Sequence, residues 1–467
     1  MRIIASLTAD QPPTRAYGDS PNRSPWVAQL APDGQPEPLT ADTAADVVVV
    51  GAGIAGIATA FFTLRSTSKS VLLVERDRVA RGASGHNAGQ LTTYFERPLC
   101  DIAAEYGSPL AGEAQRGIDD AHDLLDTMVA EVGATVRVER FLGHMGMFNK
   151  HHLDVHLRCL LVRRQEGLRQ QMCAVSEDAE FLSELPKMFA GLYSVVTQSE
   201  IRELLEVDDD RYRAVLSAPA GCSSSGLLCQ QVLAYLRVAY PDRFAYADRT
   251  NVERIVIDDG TAVVWGGGYR LRASHVVLCT NGFVDHQVED AAGTALRLRG
   301  DQRIIGRVAH MTAFVEETSR APASLSYIRN TVIGGAVPYV YVTRRTYDRP
   351  GGIVTLTCMG GPEYPFLQSY NREAPFPGEL LQEMDDQVRP FAQPKRPPHA
   401  PYDFQWHGLM GYNDCGIRVV GRHPRHTTLL YNLGCNGVGF LPSIHGAQRI
   451  ASLLGGEQLG PSVFDPR

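Results

Sequence analysis

Three glycines, Gly51, Gly53 and Gly56, stand at G-x-G-x-x-G spacing directly after four valines, Val47 to Val50, and Glu75 follows about 24 residues after the first of them. Those residue types at that spacing can hold a dinucleotide. The first glycine allows a tight turn out of a strand. The second lets a pyrophosphate approach the backbone, and the third lets a helix pack close on the sheet. The helix start adds free N–H groups and the positive end of its dipole. Glu75 is placed to accept from ribose hydroxyls, and its charge would repel a 2′-phosphate.

The elements that must position these groups are legible on either side. Val47–Val50 is too short and too β-branched for a helix, Ile54–Leu64 reads as a helix, and Val71–Val74 reads as a second strand ending at Glu75. A glycine-rich turn of another α/β protein would also fit, as would a membrane span over Ala44–Leu64. The flanking strand-like runs favour the dinucleotide site. The next stretch, Arg81-Gly-Ala-Ser-Gly-His-Asn-Ala-Gly-Gln90, sets Ser84, Asn87 and Gln90 among small residues. Such a loop can wrap a second set of phosphate and ring atoms with backbone N–H groups.

This order of strand, glycine turn, helix, strand, acid and G-A-S-G-x-N-x-G-Q resembles the glycine oxidase/D-amino acid oxidase family of FAD enzymes. It is most similar to the γ-glutamylputrescine oxidase-like branch, whose loop reads G-A-S-G-R-N-G-G-Q; here His86 and Ala88 replace Arg and Gly. Three later stretches carry the same resemblance. His275-Val-Val-Leu-Cys-Thr-Asn-Gly282 is similar to the family's A-T-G or A-T-N strand end. Trp406–Gly421 is similar to W-x-G-x-R-P…D-G-x-P-x-I-G, and Leu429–Gly446 to the last strand and its flavin-binding turn. A helix start after that turn, aimed at the flavin N1–C2=O edge, would stabilise the reduced ring.

The resemblance implies an α/β fold, with a Rossmann-type FAD-binding domain and a second domain built on an antiparallel sheet. It implies FAD contacts from Gly51, Gly53, Ile54, Ala55, Gly56, Glu75 and Arg76, and from Ala83, Ser84, Asn87, Ala88, Gly89, Gln90 and Leu91. Further contacts fall to Val252, Thr280, Asn281, Gly282, Gly408, Gly434, Asn436, Gly437, Val438 and Gly439. The implied reaction is hydride transfer from an amine-bearing carbon to flavin N5, giving an imine that water hydrolyses. The amine must be neutral, so a site that excludes water needs no dedicated base. His86, His407, Tyr339 and Tyr341 are the catalytic candidates, the two tyrosines sharing one face of a strand.

Two departures bear on the substrate. Ungapped alignment on Gly408, Gly416 and Gly421 puts Met410 where α-amino-acid oxidases carry a carboxylate-binding arginine. An α-amino acid held that way is disfavoured, with Arg344, Arg345 or Arg418 as substitutes from elsewhere. Gly408 falls where sarcosine oxidase-like relatives carry a flavin-linking cysteine, so no covalent link forms there, and Cys415 stands where the family usually has Asp. The chain has four lysines, Lys69, Lys150, Lys187 and Lys395, none in a segment expected at the ring. The acceptor is therefore O2, assisted by another positive group, or a different electron carrier. The reading is an FAD-dependent oxidoreductase acting on the C–N bond of a small amine. Its alternatives are an FAD enzyme of an α-amino or α-hydroxy acid, and a flavin-binding assembly component without this activity.

Composition sets the outer bounds. The 467 residues are 44% hydrophobic and 21% charged, enough for two globular domains. A net charge of −7 argues against nucleic acid or anionic membrane as partner. Nine scattered cysteines without C-x-x-C suit a reducing compartment, and MRIIASLTADQPPTR lacks a long apolar run, so a cytoplasmic location is expected. His152 and His156 have helical i, i+4 spacing, but they sit on a polar face and no metal is expected.

The expected division is an N-terminal arm over 1–45, anchored by Trp26. An FAD-binding domain follows from 46–108, 216–295 and 405–467, and a substrate domain from 109–215 and 296–404. A helix from Ser108-Pro109 to Glu131, a turn over Gly221–Gly226 and a helix within Pro375–Arg389 complete the reading. Sheet turns are expected at Gly334-Gly335, Asp348–Gly352 and Gly360–Pro362, with a Pro-rich connector over Pro394–Pro401.

Overall fold

A computed structural model describes residues 21–467 apart from positions 33, 259, 299, 317, 330–338, 366–369 and 393–400. The start of the arm, the expected Gly334-Gly335 turn and nearly all of the Pro-rich connector lie outside the described residues.

The strand Thr43–Val50 runs parallel to Val71–Val74 on one side and to Tyr269–Leu278 on the other. Val47, Val48 and Val49 are fully buried. Val47 and Val49 pack with Ile57 and Phe61 of the helix Ile54–Ser66, and Val48 and Val50 pack with Leu72, Ile255 and Leu271 on the opposite face. Cover on both faces is why this strand reads as an unbroken apolar run. The sheet orders Gln287–Asp290, Val252–Asp258, Thr261–Gly266, Tyr269–Leu278, Thr43–Val50, Val71–Val74 and Phe244–Ala247. Leu429–Leu433 joins parallel to the end of Tyr269–Leu278 and pairs with Val419–Arg422. The C-terminal ends Val50, Val74 and Leu278 fall on one edge, with the helices Ile54–Ser66 and Phe440–Leu454 packed together behind it.

The second sheet is largely antiparallel. Its order is Phe404–Tyr412, Ile305–Val315, Gly352–Pro365, Tyr339–Arg349, Ala323–Ile328, Val138–Met147, Ala214–Ser223, Met172–Ser176 and Ser194–Val196. Gln90–Thr92 adds to the far end of Ala214–Ser223. Three strands and one pair of helices depart from the expected division, the first being Gln90–Thr92 itself, expected with the cofactor-binding half. Phe404–Tyr412 pairs with Ile305–Val315, and Ala214–Ser223 lies wholly in this sheet. The helices Ser108–Asp119 and Ala121–Val132 send Ala111, Ile118, Leu125 and Met128 into the core beside Ile57 and Phe61. A strand's pattern announces a strand; which sheet edge receives it depends on partners distant in sequence.

Local expectations differ in smaller ways. The helix begun at Ser108 is capped by Gly107, at φ 88°, and breaks at Asp120. Gly221–Ser223 belongs to a strand, and Ser224 caps the helix Ser225–Ala239 through its hydroxyl. Gly360 lies inside the strand Gly352–Pro365 rather than in a turn, and a Cβ there would stand 2.4 Å from the Tyr341 ring, so the glycine makes room for that ring. Trp26 does anchor the arm. It is fully buried, edge-on to Trp406 at 6.5 Å, with its indole N–H donated to the Asn87 carbonyl. Among the described residues no helix is long and apolar enough to cross a membrane, and no three His, Cys, Asp or Glu side chains are grouped to hold a metal ion.

Candidate functional site

A cavity of about 730 Å³ lies between the strand ends of the first sheet and the face of the second. Val50, Gly51, Val74, Glu75, Cys279 and Thr280 line it from the first; Thr92, Tyr94, Glu96, Tyr339, Tyr341 and Met410 line it from the other side. Ligands of open α/β sheets bind at this carboxyl edge.

The glycine turn is built so that no side chain fits. Gly51 has φ +103°, and a Cβ there would lie 2.8 Å from the Cys279 carbonyl oxygen. A Cβ on Gly56 would lie 1.8 Å from the Gly51 carbonyl oxygen, and one on Gly53 2.9 Å from Ser84 Oγ. The Ser84 hydroxyl accepts from Ile54 N at 2.8 Å and so ties the second loop to the helix start. The loop holds its own shape. Asn87 donates to the Ala83 and Ser84 carbonyls at 2.9 and 3.0 Å and to Ser225 Oγ at 2.7 Å, and accepts from Gly89 N at 2.6 Å. Gln90 donates to Thr343 Oγ1 at 2.6 Å, joining the loop to the second sheet.

Glu75 accepts from Ala52 N at 2.7 Å and Asp77 N at 3.0 Å. Burial pushes its carboxyl up to about 6, against the opposing pull of the Ala52 N–H. A folded value above the unfolded one means that the folded chain holds the extra proton between pH 4.5 and 6. Stability of the cofactor-free chain therefore falls as pH rises through that window, by about 2 kcal/mol for this one group. Chemical denaturation at pH 4.5 and pH 7 checks this: the loss is expected in the wild-type chain and reduced in Glu75→Gln.

Of the residues expected at the cofactor, Gly51, Gly53, Ile54, Ala55, Glu75, Arg76, Ala83, Ser84, Asn87, Ala88, Gln90, Val252, Thr280, Asn281, Gly437, Val438 and Gly439 line the cavity, as do Tyr339 and Tyr341. Gly56, Gly89, Leu91, Gly282, Gly408, Gly434 and Asn436 stand behind its wall. Leu91 is fully buried. A Cβ on Gly282 would meet the Met410 carbonyl at 2.7 Å, and one on Gly408 the His86 carbonyl at 2.6 Å. Gly89 and Gly434 have φ +69° and +79°. Asn436 accepts from Asn413 N at 2.9 Å. Gly56, Gly282 and Gly408 are where backbones cross closely.

His86 and His407, expected as catalytic groups, do not line the cavity either. His86 is 2% exposed and its Nδ1 meets the Gly82 carbonyl at 3.0 Å. His407 is fully buried between Tyr370 Oη and the Ala374 carbonyl, each at 2.9 Å. Burial lowers both rings to about 4, which favours neutral imidazoles near pH 7. His407 instead holds Tyr370, which does line the cavity.

Several lining residues escaped the sequence reading: Ser225, Asn251, Tyr370, Arg372, Tyr94 and Glu96. None stands in a patterned stretch. Ser225 alone had a signal, the small-residue run before a helix. The three arginines weighed as carboxylate clamps are engaged elsewhere. Arg344 forms a two-pronged pair with Glu206 at 2.6 and 2.9 Å. Arg345 lies over the Trp26 ring at 4.4 Å. Arg418 lines the cavity but donates to the Asn432 side chain and carbonyl at 2.6 and 2.8 Å.

Strand ends of a parallel sheet facing an antiparallel sheet across one cavity make this a two-domain dinucleotide-binding protein. The chain belongs to the DAO family: the family model described as FAD dependent oxidoreductase matches residues 46–453. A stretch of 107 residues is 33% identical to "Probable oxidoreductase OrdL" of Haemophilus influenzae, covering 23% of this chain and 25% of that protein. Two solved structures are similar in fold. Glycine oxidase from Geobacillus kaustophilus has a TM-score of 0.61 at 17% identity, over 91% of this chain and 99% of the other. L-proline dehydrogenase from P. horikoshii has a TM-score of 0.65 at 14% identity, over 92% and 98%.

FAD fits the residues present. Gly51 and Gly53 line the cavity without side chains, so a phosphate can approach the backbone of the turn. The N–H groups of Ala55 and Gly56, in the first helical turn, have no intrahelical acceptor. Thr280 Oγ1 is buried on the cavity wall without a hydrogen-bond partner.

Proposed function

We propose that this FAD-dependent oxidoreductase oxidises the C–N bond of a small amine to an imine, passing the electrons to O2 or to another electron carrier. Bound FAD supplies the hydride acceptor, its N5. Gly51, Gly53, Ile54 and Ala55 hold the pyrophosphate, Glu75 the ribose, and Val252 the adenine side. The loop Ala83–Gln90 and the turn Gly437–Gly439 before the helix Phe440–Leu454 hold the flavin. The chain itself binds the substrate and excludes water. Tyr339 and Tyr341, with ring centroids 6.2 Å apart, form the wall opposite. The nine free thiols suit a cytoplasmic location.

The observation that carries the amine reading is Met410. Met410 lines the cavity, the sequence alignment puts it where the family's α-acid oxidases carry a guanidinium, and Arg344 and Arg418 are engaged with other groups. A thioether cannot pair a carboxylate. One observation favours a second reading, oxidation of an α-amino or α-hydroxy acid. Arg307 sits opposite Met410 in the strand register, and its Nε is buried without a hydrogen-bond partner. Its guanidinium lies over the Tyr412 ring at 5.0 Å and does not line the cavity. Incubation with matched amines and α-amino acids separates the two. Aldehyde or ketone with released ammonia (or amine, from an N-substituted substrate) is expected from the amine set; α-keto acid as the sole product would favour the second reading.

A further inference from the structure

Arg418 is a buried cation that the protein leaves without an opposite charge. It stands just before the strand Val419–Arg422, at a place where the D-G-x-P-x-I-G pattern carries proline. The residue is 6% exposed and lines the cavity. Its Nε and Nη2 donate to Asn432 Oδ1 and to the Asn432 carbonyl, at 2.6 and 2.8 Å. Both acceptors are neutral, so they orient the guanidinium and do not cancel its charge. Among the described residues nothing accepts from Nη1, and no carboxylate pairs with the group. The ionisable side chains near enough to act on it are two thiols, Cys279 and Cys435. Burial pulls it down to about 10, so it keeps its proton near pH 7. The acids on the cavity wall have other partners. Glu75 accepts from two backbone N–H groups, Asp285 pairs with Arg76, Asp77 and Glu373 pair with Arg372, and Glu96 accepts from Tyr339. Arg81 and Arg249 line the same cavity and add to its positive potential; Arg249 N donates to the Asp77 carbonyl at 2.9 Å, at the ribose end.

The surroundings of Arg418 say which anion it awaits. Asn432, which holds it, donates to Thr59 Oγ1 at 3.4 Å and to the Ser443 carbonyl at 3.1 Å, and so ties it to the helices Ile54–Ser66 and Phe440–Leu454. Thr59 Oγ1 donates to the Ala55 carbonyl at 2.7 Å and stands 3.8 Å from Cys279 Sγ. The Cys279 carbonyl oxygen lies 2.8 Å from where a Cβ on Gly51 would stand. The groups around Arg418 thus belong to the first sheet and its helices, beside the turn assigned above to the pyrophosphate. Tyr339 and Tyr341, the wall opposite, stand on the second sheet. A charge taken out of water needs an opposite charge and hydrogen bonds. Oxidised flavin is neutral, and the diphosphate is the anionic part of FAD. We infer that Arg418 is the buried counter-charge of the FAD diphosphate, held by Asn432 so that its remaining donors face the phosphates. An arginine so occupied is not available to a substrate carboxylate. The inference rests on the placement of FAD and not on the substrate, so the amine reading stands or falls separately.

The test measures binding rather than turnover. Wild type, Arg418→Met and Arg418→Lys are stripped of flavin, shown by melting temperature to be folded, and titrated by calorimetry with FAD, ADP and adenosine. The Met variant is expected to bind FAD and ADP about 10- to 100-fold more weakly than wild type, the scale of one lost hydrogen bond between charged groups. Adenosine, which has no phosphate, binds both equally. The Lys variant recovers part of the loss, because it keeps the charge without the planar fork. The rise in melting temperature on adding FAD shrinks in the Met variant, a change that a purely structural arginine would not produce. Should the Met variant not fold, the Lys variant carries the test: a several-fold loss for FAD and ADP but not for adenosine upholds the inference. Unchanged FAD and ADP affinity, or an equal loss for adenosine, overturns it. Weakened FAD with unchanged ADP would put the guanidinium at the flavin and overturn it too. ADP that does not bind wild type at all would overturn the placement of the diphosphate, and the inference with it.

Discussion

Gly56→Val is expected to yield a chain that retains almost no FAD. The Cβ of residue 56 would lie 1.8 Å from the Gly51 carbonyl oxygen and 3.4 Å from Val49 Cγ1. The first contact is with backbone and cannot be relieved by turning a side chain. The helix Ile54–Ser66 would have to lift from the strand end, or the turn at Gly51 would have to open. Gly51 cannot easily adjust, being at φ +103° with the Cys279 carbonyl directly behind it. Ordinary overpacking costs about 1–3 kcal/mol, and a clash with fixed backbone stands at or above the top of that range. The same shift moves the N–H groups that face the phosphates, so cofactor affinity falls with stability. Gly56→Ala is expected to do the same in smaller measure. The ratio of flavin absorbance to protein, with melting temperature, reads both effects. Gly34→Ala, at a position with nothing within 4 Å of the added Cβ, is the control and should match wild type. Full flavin occupancy in Gly56→Val would show that the close crossing is not needed.

Trp26→Ala is expected to cost about 3–5 kcal/mol, the usual loss for a fully buried tryptophan. The ring is fully buried, meets Trp406 edge-on and lies under the Arg345 guanidinium. Its N–H is donated to the carbonyl of Asn87, the residue whose side chain closes the second cofactor loop on itself. The loss is therefore not confined to packing: the loop should loosen and FAD should dissociate faster. Trp26→Phe separates the parts. It keeps most of the apolar burial and removes the donor, leaving a buried carbonyl unpaired at about 1–3 kcal/mol. Differential scanning calorimetry with and without added FAD reads the stability, and the rate at which flavin fluorescence appears on dilution reads the release. An Ala variant with unchanged melting and release would mean that the arm is not part of the cofactor site.

How far the sequence carried depends on how local each signal is. The glycine turn was legible because each glycine answers a constraint set within a few residues, and the helix Ile54–Ser66 and strand Val71–Val74 follow from the same stretch. Trp26 was legible as an anchor because a lone indole in a polar arm has little to gain from water. Glu96 was not legible. It enters the cavity through the pairing of Gln90–Thr92 with Cys222, Gly221 and Ala220, more than a hundred residues away. Phe404–Tyr412 looked like part of the cofactor-binding half, and its pairing with Ile305–Val315 places it in the other sheet. His86 and His407 were chosen by side-chain type. Type names what a histidine can do, and burial against backbone carbonyls fixes what these two do. Gly360 had the composition of a turn; its lack of a side chain serves the Tyr341 ring instead.

An anaerobic absorbance titration of the purified protein, first with a small alkylamine and then with the α-amino acid of the same side chain, tests the amine assignment most directly. The two visible bands of oxidised flavin are expected, bleached by the amine at concentrations where the amino acid leaves them intact. Bleaching by the amino acid alone would contradict the reading of Met410, and folded protein with no flavin bands after incubation with FAD would contradict the cofactor assignment itself.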